Sequence, residues 1–281
     1  MDALYEHHFT WIDQLNPGGY ALISESPDVD TAVVFIHGFL GDADGTWLNF
    51  QEMIDSRHAQ YPMWARCDTF FFSYPSFFQE ITDSAEQFLN FLSTIYPSPP
   101  DWLFSISEFV PNVPATVLAL DLPEHIYKNL ILVGHSEGCV VIRRAVTIAY
   151  KSGVQHAILG SGMLRLFSPA HLGFQPTGWI RACLGVGRVE AIVMPLLNLS
   201  PAFAEMKEKE LLDQIREDTT AFWEEAHLSV MRARVLFGKE RVVVKGEFQN
   251  DILETSEPTK NHVSICKPRA DYDRPINFVL K

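Results

Sequence analysis

A chain of 281 residues that is 47% hydrophobic and 12% aromatic has the apolar content to build a deep core, which excludes an intrinsically disordered chain. Its 35 acidic residues against 22 basic ones leave a formal charge of −13, and the few basic pairs, Arg143 with Arg144 and Arg232 with Arg234, are small and sit beside apolar residues, so a nucleic-acid partner is excluded. The cysteines, Cys67, Cys139, Cys183 and Cys266, are scattered without metal-ligand spacing, so free thiols in a reducing compartment are expected and zinc is not.

The N-terminal stretch lacks the basic start and apolar run of a signal peptide, and no uninterrupted apolar segment of membrane-spanning length follows. A soluble, cytoplasmic protein is expected. The first strand-like run is 20–24, "YALIS" after Pro17-Gly18-Gly19, read as an antiparallel edge. Short, continuously apolar runs at 32–36, 69–74, 130–133, 164–168 and 233–237 read as buried parallel strands. Helices are expected over 79–95, 138–151 and 201–228, the last carrying mixed charges on its exposed face. The alternation implies an α/β fold, a mostly parallel central sheet flanked by helices, in a single domain over 1–281.

Two stretches interrupt that alternation. Residues 95–114 hold five prolines together with Trp102, Phe104 and Phe109, which excludes a regular helix over much of the segment. Residues 168–200 are rich in Gly, Pro and apolar residues, with Trp179 and Met194 among them. Both read either as packed connections or as cap segments over an apolar cleft.

The sequence "LILVGHSEGC" at 130–139 carries the chemistry. A Gly-x-Ser-x-Gly between a buried strand and a helix is the setting of a nucleophile elbow, in which Ser136 occupies a tight turn and Gly134 and Gly138 keep neighbouring chains from colliding with it. An oxyanion needs two amides, one just after the nucleophile and one from an earlier strand's C-terminal loop. Those are expected at Glu137 and at Phe39 in "IHGFLG", with His37 orienting the loop backbone. In this architecture the base follows the nucleophile and the acid. Of His156, His171, His227 and His262, only His262 follows the last strong strand. The acid is expected at Glu240, just beyond that strand, with Asp251, Glu247 and Glu254 as alternatives.

With those residues placed, the chain resembles the α/β-hydrolase superfamily, and within it the serine esterase and lipase branch similar to inositol-deacylase-like intracellular lipases. "VFIHGFLGDADGTW" looks like that branch's first loop, "LVGHSEG" like its elbow, "LFSPAHLG" like the turn after its next strand, and "NHVSICKP" like its histidine turn. Where relatives commonly carry Asp beyond the acid-bearing strand, this chain offers Glu240 after a shorter spacing. The resemblance implies an α/β-hydrolase fold and hydrolysis of a carboxylic ester through Ser136, His262 and Glu240, with an apolar or lipid-like acyl group and no metal or organic cofactor. The partner implied is a small-molecule or lipid ester, with peripheral membrane contact left open. A catalytically silent binding module, or an acyltransferase or thioesterase using the same residues, are the alternatives.

Overall fold

The computed structural model describes residues 7–12, 18–57, 60–104, 124–153, 156–175, 195, 197–240, 242–246, 248 and 250–280. In chain order the strands are β1 (His7–Ile12), β2 (Gly19–Ser24), β3 (Thr31–Ile36), β4 (Cys67–Phe72), β5 (Asn129–His135), β6 (Gly162–Phe167), β7 (Ala233–Leu236), β8 (Gly238–Lys239), β9 (Ile252–Leu253) and β10 (Glu257–Asn261). The helices are α1 (Ala43–Arg57), α2 (Ile81–Ile95), α3 (Glu137–Lys151), α4 (Ala157–Ser161), α5 (Pro201–Glu208), α6 (Glu210–Ala226) and α7 (Arg274–Leu280).

Eight strands form one sheet in the order β1-β2-β4-β3-β5-β6-β7-β9, with β8 and β10 as a separate parallel pair. Among the strands of the described residues, only the pairings of β2 with β1 and with β4 are antiparallel. The central strands β3 and β5 carry continuous apolar runs because both sheet faces are covered. Val34, Ile36, Leu132 and Leu166 face the core shared with α2, α3, α5 and α6, whereas Val33, Phe35, Ile131 and Val133 face α1 and α7. Phe35 sits at the centre of the second layer, with ring centroids 4.8–5.0 Å from Trp47, Phe50 and Phe71.

Chain order and spatial order part at one place. After β3 the chain moves to β4 on one side and then returns past β3 to β5 on the other, so the direction of travel reverses between β3 and β5. Loops leaving the carboxyl ends of two such strands splay to opposite faces and leave a crevice between them. Register aligns those ends: Ile36 pairs with Gly134, so the loop beginning at His37 and the turn at Ser136 leave the sheet side by side.

Two sequence expectations need correction, and one helix was not expected. "YALIS" is antiparallel, as read, but β1 lies outside it and is the edge. The expected helix 201–228 is two helices, because Lys209 adopts a left-handed φ of 64°. This break lets Phe203 and Met206 of α5 and Leu212 and Ile215 of α6 all reach the core. Helix α1 was missed despite Trp47, Phe50 and Ile54 at helical spacing, because charged and polar residues between them dilute the apolar signal. Of the two interrupting stretches, 105–114, 176–194 and 196 lie outside the described residues, Phe109, Trp179 and Met194 included. Phe104 is buried in the core and Trp102 packs against it. Among the described residues no helix is long and apolar enough to cross a membrane, and Cys67, Cys139 and Cys266 are buried free thiols.

Candidate active site

Strand β5 ends in a turn with no room for ordinary geometry. Ser136 has φ 56° and ψ −117°, a region L-residues avoid. Its N–H donates to Phe167 O (3.0 Å) and its carbonyl accepts from Ala170 N (3.1 Å) and Cys139 N (3.2 Å), so neighbouring backbone holds the strained turn from both sides. Two glycines are required by close approach. A Cβ on Gly138 would stand 2.3 Å from His37 O, and one on Gly38 would stand 2.8 Å from Ser136 Cβ.

His262 arrives through the β8–β10 pair. Lys239 pairs with Asn261 in a parallel register, so the following residues, Glu240 and His262, lie beside one another. Asn261 shapes the turn, its side-chain oxygen accepting from Val263 N (3.1 Å) and Ser264 N (2.9 Å). His262 Nδ1 lies 2.9 Å from Glu240 Oε2, and Nε2 lies 3.0 Å from Ser136 Oγ. Donation from Nδ1 to the carboxylate leaves the Nε2 lone pair facing the serine hydroxyl. The Ser168 hydroxyl donates to the other Glu240 oxygen. The side chains of His262 and Glu240 are 6% and 3% exposed, so water competes little for these contacts.

The other acids are otherwise engaged. Asp251 receives Arg143 Nη2 on both oxygens at 2.6 Å, with Ala233 N and Phe248 N as further donors. Glu254 pairs with Arg234, and Glu247 lies outside the described residues. Nor do the remaining histidines reach Ser136. His156 caps α4, His171 bonds Gly246 O and stacks on Phe248, and His227 ends α6 against Trp223.

Opposite His262 lies the loop after β3. His37 Nδ1 donates to Gly38 O (2.9 Å), which also accepts from Gly41 N (2.9 Å). That carbonyl shares its planar trans peptide with Phe39 N–H, so fixing one end aims the other. Tyr74 N donates to His37 Nε2 (3.3 Å), and Tyr74 OH donates to His37 O (3.1 Å). Burial holds the His37 pKa down to about 4, which keeps the ring neutral in this role. Glu137, as the first residue of α3, has an N–H without an intrahelical acceptor.

The carboxyl of Glu137 is fully buried beside Tyr74. Burial pushes its pKa well above the usual carboxylate range, and the nearby Glu205 adds to the rise. Burial there favours the uncharged acid over the carboxylate. A cavity of about 350 Å³ opens onto Ser136 and His262 between the loop after β3, the first turn of α1 and the turn after His262.

The structure therefore brings together Ser136, His262, Glu240, Phe39 and Glu137. Sequence reasoning missed Ser168 and Tyr74, whose roles come from strands adjacent only in space. It also passed over the wall that His135 supplies, with Nε2 donating to His262 O (2.8 Å). Chemically, the arrangement can transfer a proton from a serine hydroxyl to an imidazole backed by a carboxylate.

No family model and no curated protein matches the chain. Solved structures do. A lipase from Bacillus licheniformis aligns over 96% of each chain at 14% identity with a TM-score of 0.53. An esterase from Pyrococcus furiosus aligns over 98% of this chain and 90% of its own at 13% identity, TM-score 0.51. A peroxisomal α/β-hydrolase from Saccharomyces cerevisiae aligns over 97% and 87% at 10% identity, TM-score 0.51. The fold of this chain is the α/β-hydrolase fold.

Proposed function

We propose that the protein is a serine hydrolase that cleaves carboxylic esters. Ser136 Oγ attacks the ester carbonyl as His262 Nε2 takes its proton, and Glu240 stabilises the imidazolium and holds its orientation. The amides of Phe39 and Glu137 receive the negative oxygen of the tetrahedral intermediate. His262 returns the proton to the departing alcohol, leaving an acyl-enzyme on Ser136. Water, deprotonated by His262, then releases the acid and restores the serine.

One observation carries this reading: an unbroken contact chain from Ser136 Oγ through both nitrogens of His262 to Glu240 and Ser168, mounted on a strained elbow at the sheet's switch point. The ring of Phe39 packs with Phe77, Phe174 and Phe203 at centroid distances of 5.9–6.1 Å, which supports an apolar acyl group beside the oxyanion loop. The test is hydrolysis of p-nitrophenyl esters of increasing chain length together with labelling by a fluorophosphonate. Wild-type protein is expected to do both and Ser136→Ala neither; a Ser136→Ala protein that retains ester turnover overturns the reading.

A further inference from the structure

Direction within the site follows from the chemistry. His262 must return its proton to the leaving oxygen, so the departing alcohol lies against His262 rather than across Ser136 from it. The cavity of about 350 Å³ touches both residues and is walled by Leu40, Asp42, Thr46, Val263 and Lys267. It is therefore positioned for the alcohol half of an ester, and its volume falls in the range of small-molecule sites.

His135 forms the inner wall of that cavity. The residue is 8% exposed. Because Nε2 donates to His262 O at 2.8 Å, the proton of a neutral ring is on Nε2 and Nδ1 carries a lone pair. Nδ1 lies beside Gly38, 3.3 Å from where a Cβ on that glycine would stand, and bonds no group among the described residues. Burial first, then the neighbouring His262, hold the pKa of His135 down to about 3, so Nδ1 remains an acceptor at neutral pH.

The other polar groups of the wall suit a hydroxyl, which both donates and accepts: Asp42 is an acceptor, one of its oxygens already holding Gly45 N–H, and Lys267, bonded to Gly45 O at 2.8 Å, is a donor. A plain alkyl alcohol would strip water from the Nδ1 lone pair and return nothing, whereas an alcohol with its own hydroxyl satisfies it.

We propose that this cavity selects esters whose alcohol bears a further hydroxyl, monoesters of a diol or polyol, with His135 Nδ1 accepting from that hydroxyl. The proposal rests on the reading of Ser136 as nucleophile. It is tested with the full-length protein by comparing kcat/KM for 2-hydroxyethyl butyrate and propyl butyrate, which share an acyl group and nearly share a shape. The His135→Gln variant is measured alongside, because the Gln amide can donate near the Nε2 position and keep the tie to His262 but offers no acceptor at the Nδ1 position. Wild type is expected to favour the hydroxyethyl ester by about tenfold, and His135→Gln to bring the ratio near one. A wild-type ratio near one overturns the proposal whether or not the variant folds, and so does a ratio unchanged in a folded variant. If neither ester is cleaved in a Ser136-dependent way, the hydrolase reading itself falls, and the alcohol selection with it.

Discussion

His262 and Glu240 meet through Nδ1 and Oε2 at 2.9 Å, both nearly excluded from water, although 22 residues separate them in the chain. Their meeting depends on the parallel pairing of Lys239 with Asn261 immediately before them. Glu240→Gln preserves shape but cannot stabilise an imidazolium and favours the wrong tautomer. It is expected to lower kcat on a p-nitrophenyl ester by roughly three to four orders of magnitude with little change in folding. Steady-state kinetics on both acids decides the assignment: if Asp251→Asn lowers kcat as much in a folded protein while Glu240→Gln does not, the acid is misassigned.

Asp251 is expected to behave as a structural group. It and Arg143 are 0% and 1% exposed at the side chain and tie the segment after β8 to α3, where Arg143 also lies 4.2 Å from the centre of the Phe248 ring. Removing one partner strands a buried charge. Arg143→Met is expected to cost about 3–5 kcal/mol in urea unfolding, and the double change Arg143→Met with Asp251→Leu to cost less than the sum of the singles. Strict additivity would show that the pair is not coupled.

Glu137 gives a pH-dependent signature of stability. Its pKa in the folded protein is raised by burial, so above about pH 4.5, the ordinary value, the unfolded chain releases a proton that the folded chain keeps. Folded protein then binds more protons than unfolded, and stability falls as pH rises through this window, by up to about 1.4 kcal/mol per pH unit. Glu137→Gln does not titrate. Its stability relative to wild type is expected to increase steadily from pH 5 to pH 7, whatever its absolute value at either end. Parallel stability curves over that range would mean that Glu137 is not buried in its acid form.

Gly138 tests the close approach of the turn at Ser136 to the end of β3. A methyl group there would meet His37 O and Ile36 O at 2.3 and 2.7 Å, both backbone atoms that cannot rotate away. Gly138→Ala is expected to lose at least a hundredfold in kcat, the scale of a lost oxyanion donor, and to lower Tm. Gly160→Ala, in α4 where nothing lies within 4 Å, serves as the control and is expected to leave kcat unchanged without lowering Tm.

Much of this site was legible in the sequence because its parts are local. A buried strand, a Gly-x-Ser-x-Gly turn and a helix in succession dictate the strained φ at Ser136, and "IHGFLG" after β3 likewise encodes its own turn. The order of the strands, the histidine after the last strong strand and the absence of metal-ligand spacing are also properties of the chain read in one direction. Helix α1 was present as a spacing of Trp47, Phe50 and Ile54 and was overlooked. The break at Lys209 had no such signal, since neither Gly nor Pro marks it and only the demand to bury four side chains of two helices explains it.

Sequence alone thus determined the α/β architecture, the elbow at Ser136 and the loop that faces it, because short-range sterics and apolar patterning act within a few residues. Tertiary structure decided which acid stands behind His262, since Glu240, Asp251 and Glu254 are alike as residues and differ only in what surrounds them. Parallel register gives Glu240 to His262, while Arg143 and Arg234 take the other two. It also buried the side chain of Glu137 beside Tyr74, where exclusion from water raises its pKa. Partner choice and desolvation are set by residues distant in the chain, and a linear reading carries no measure of either.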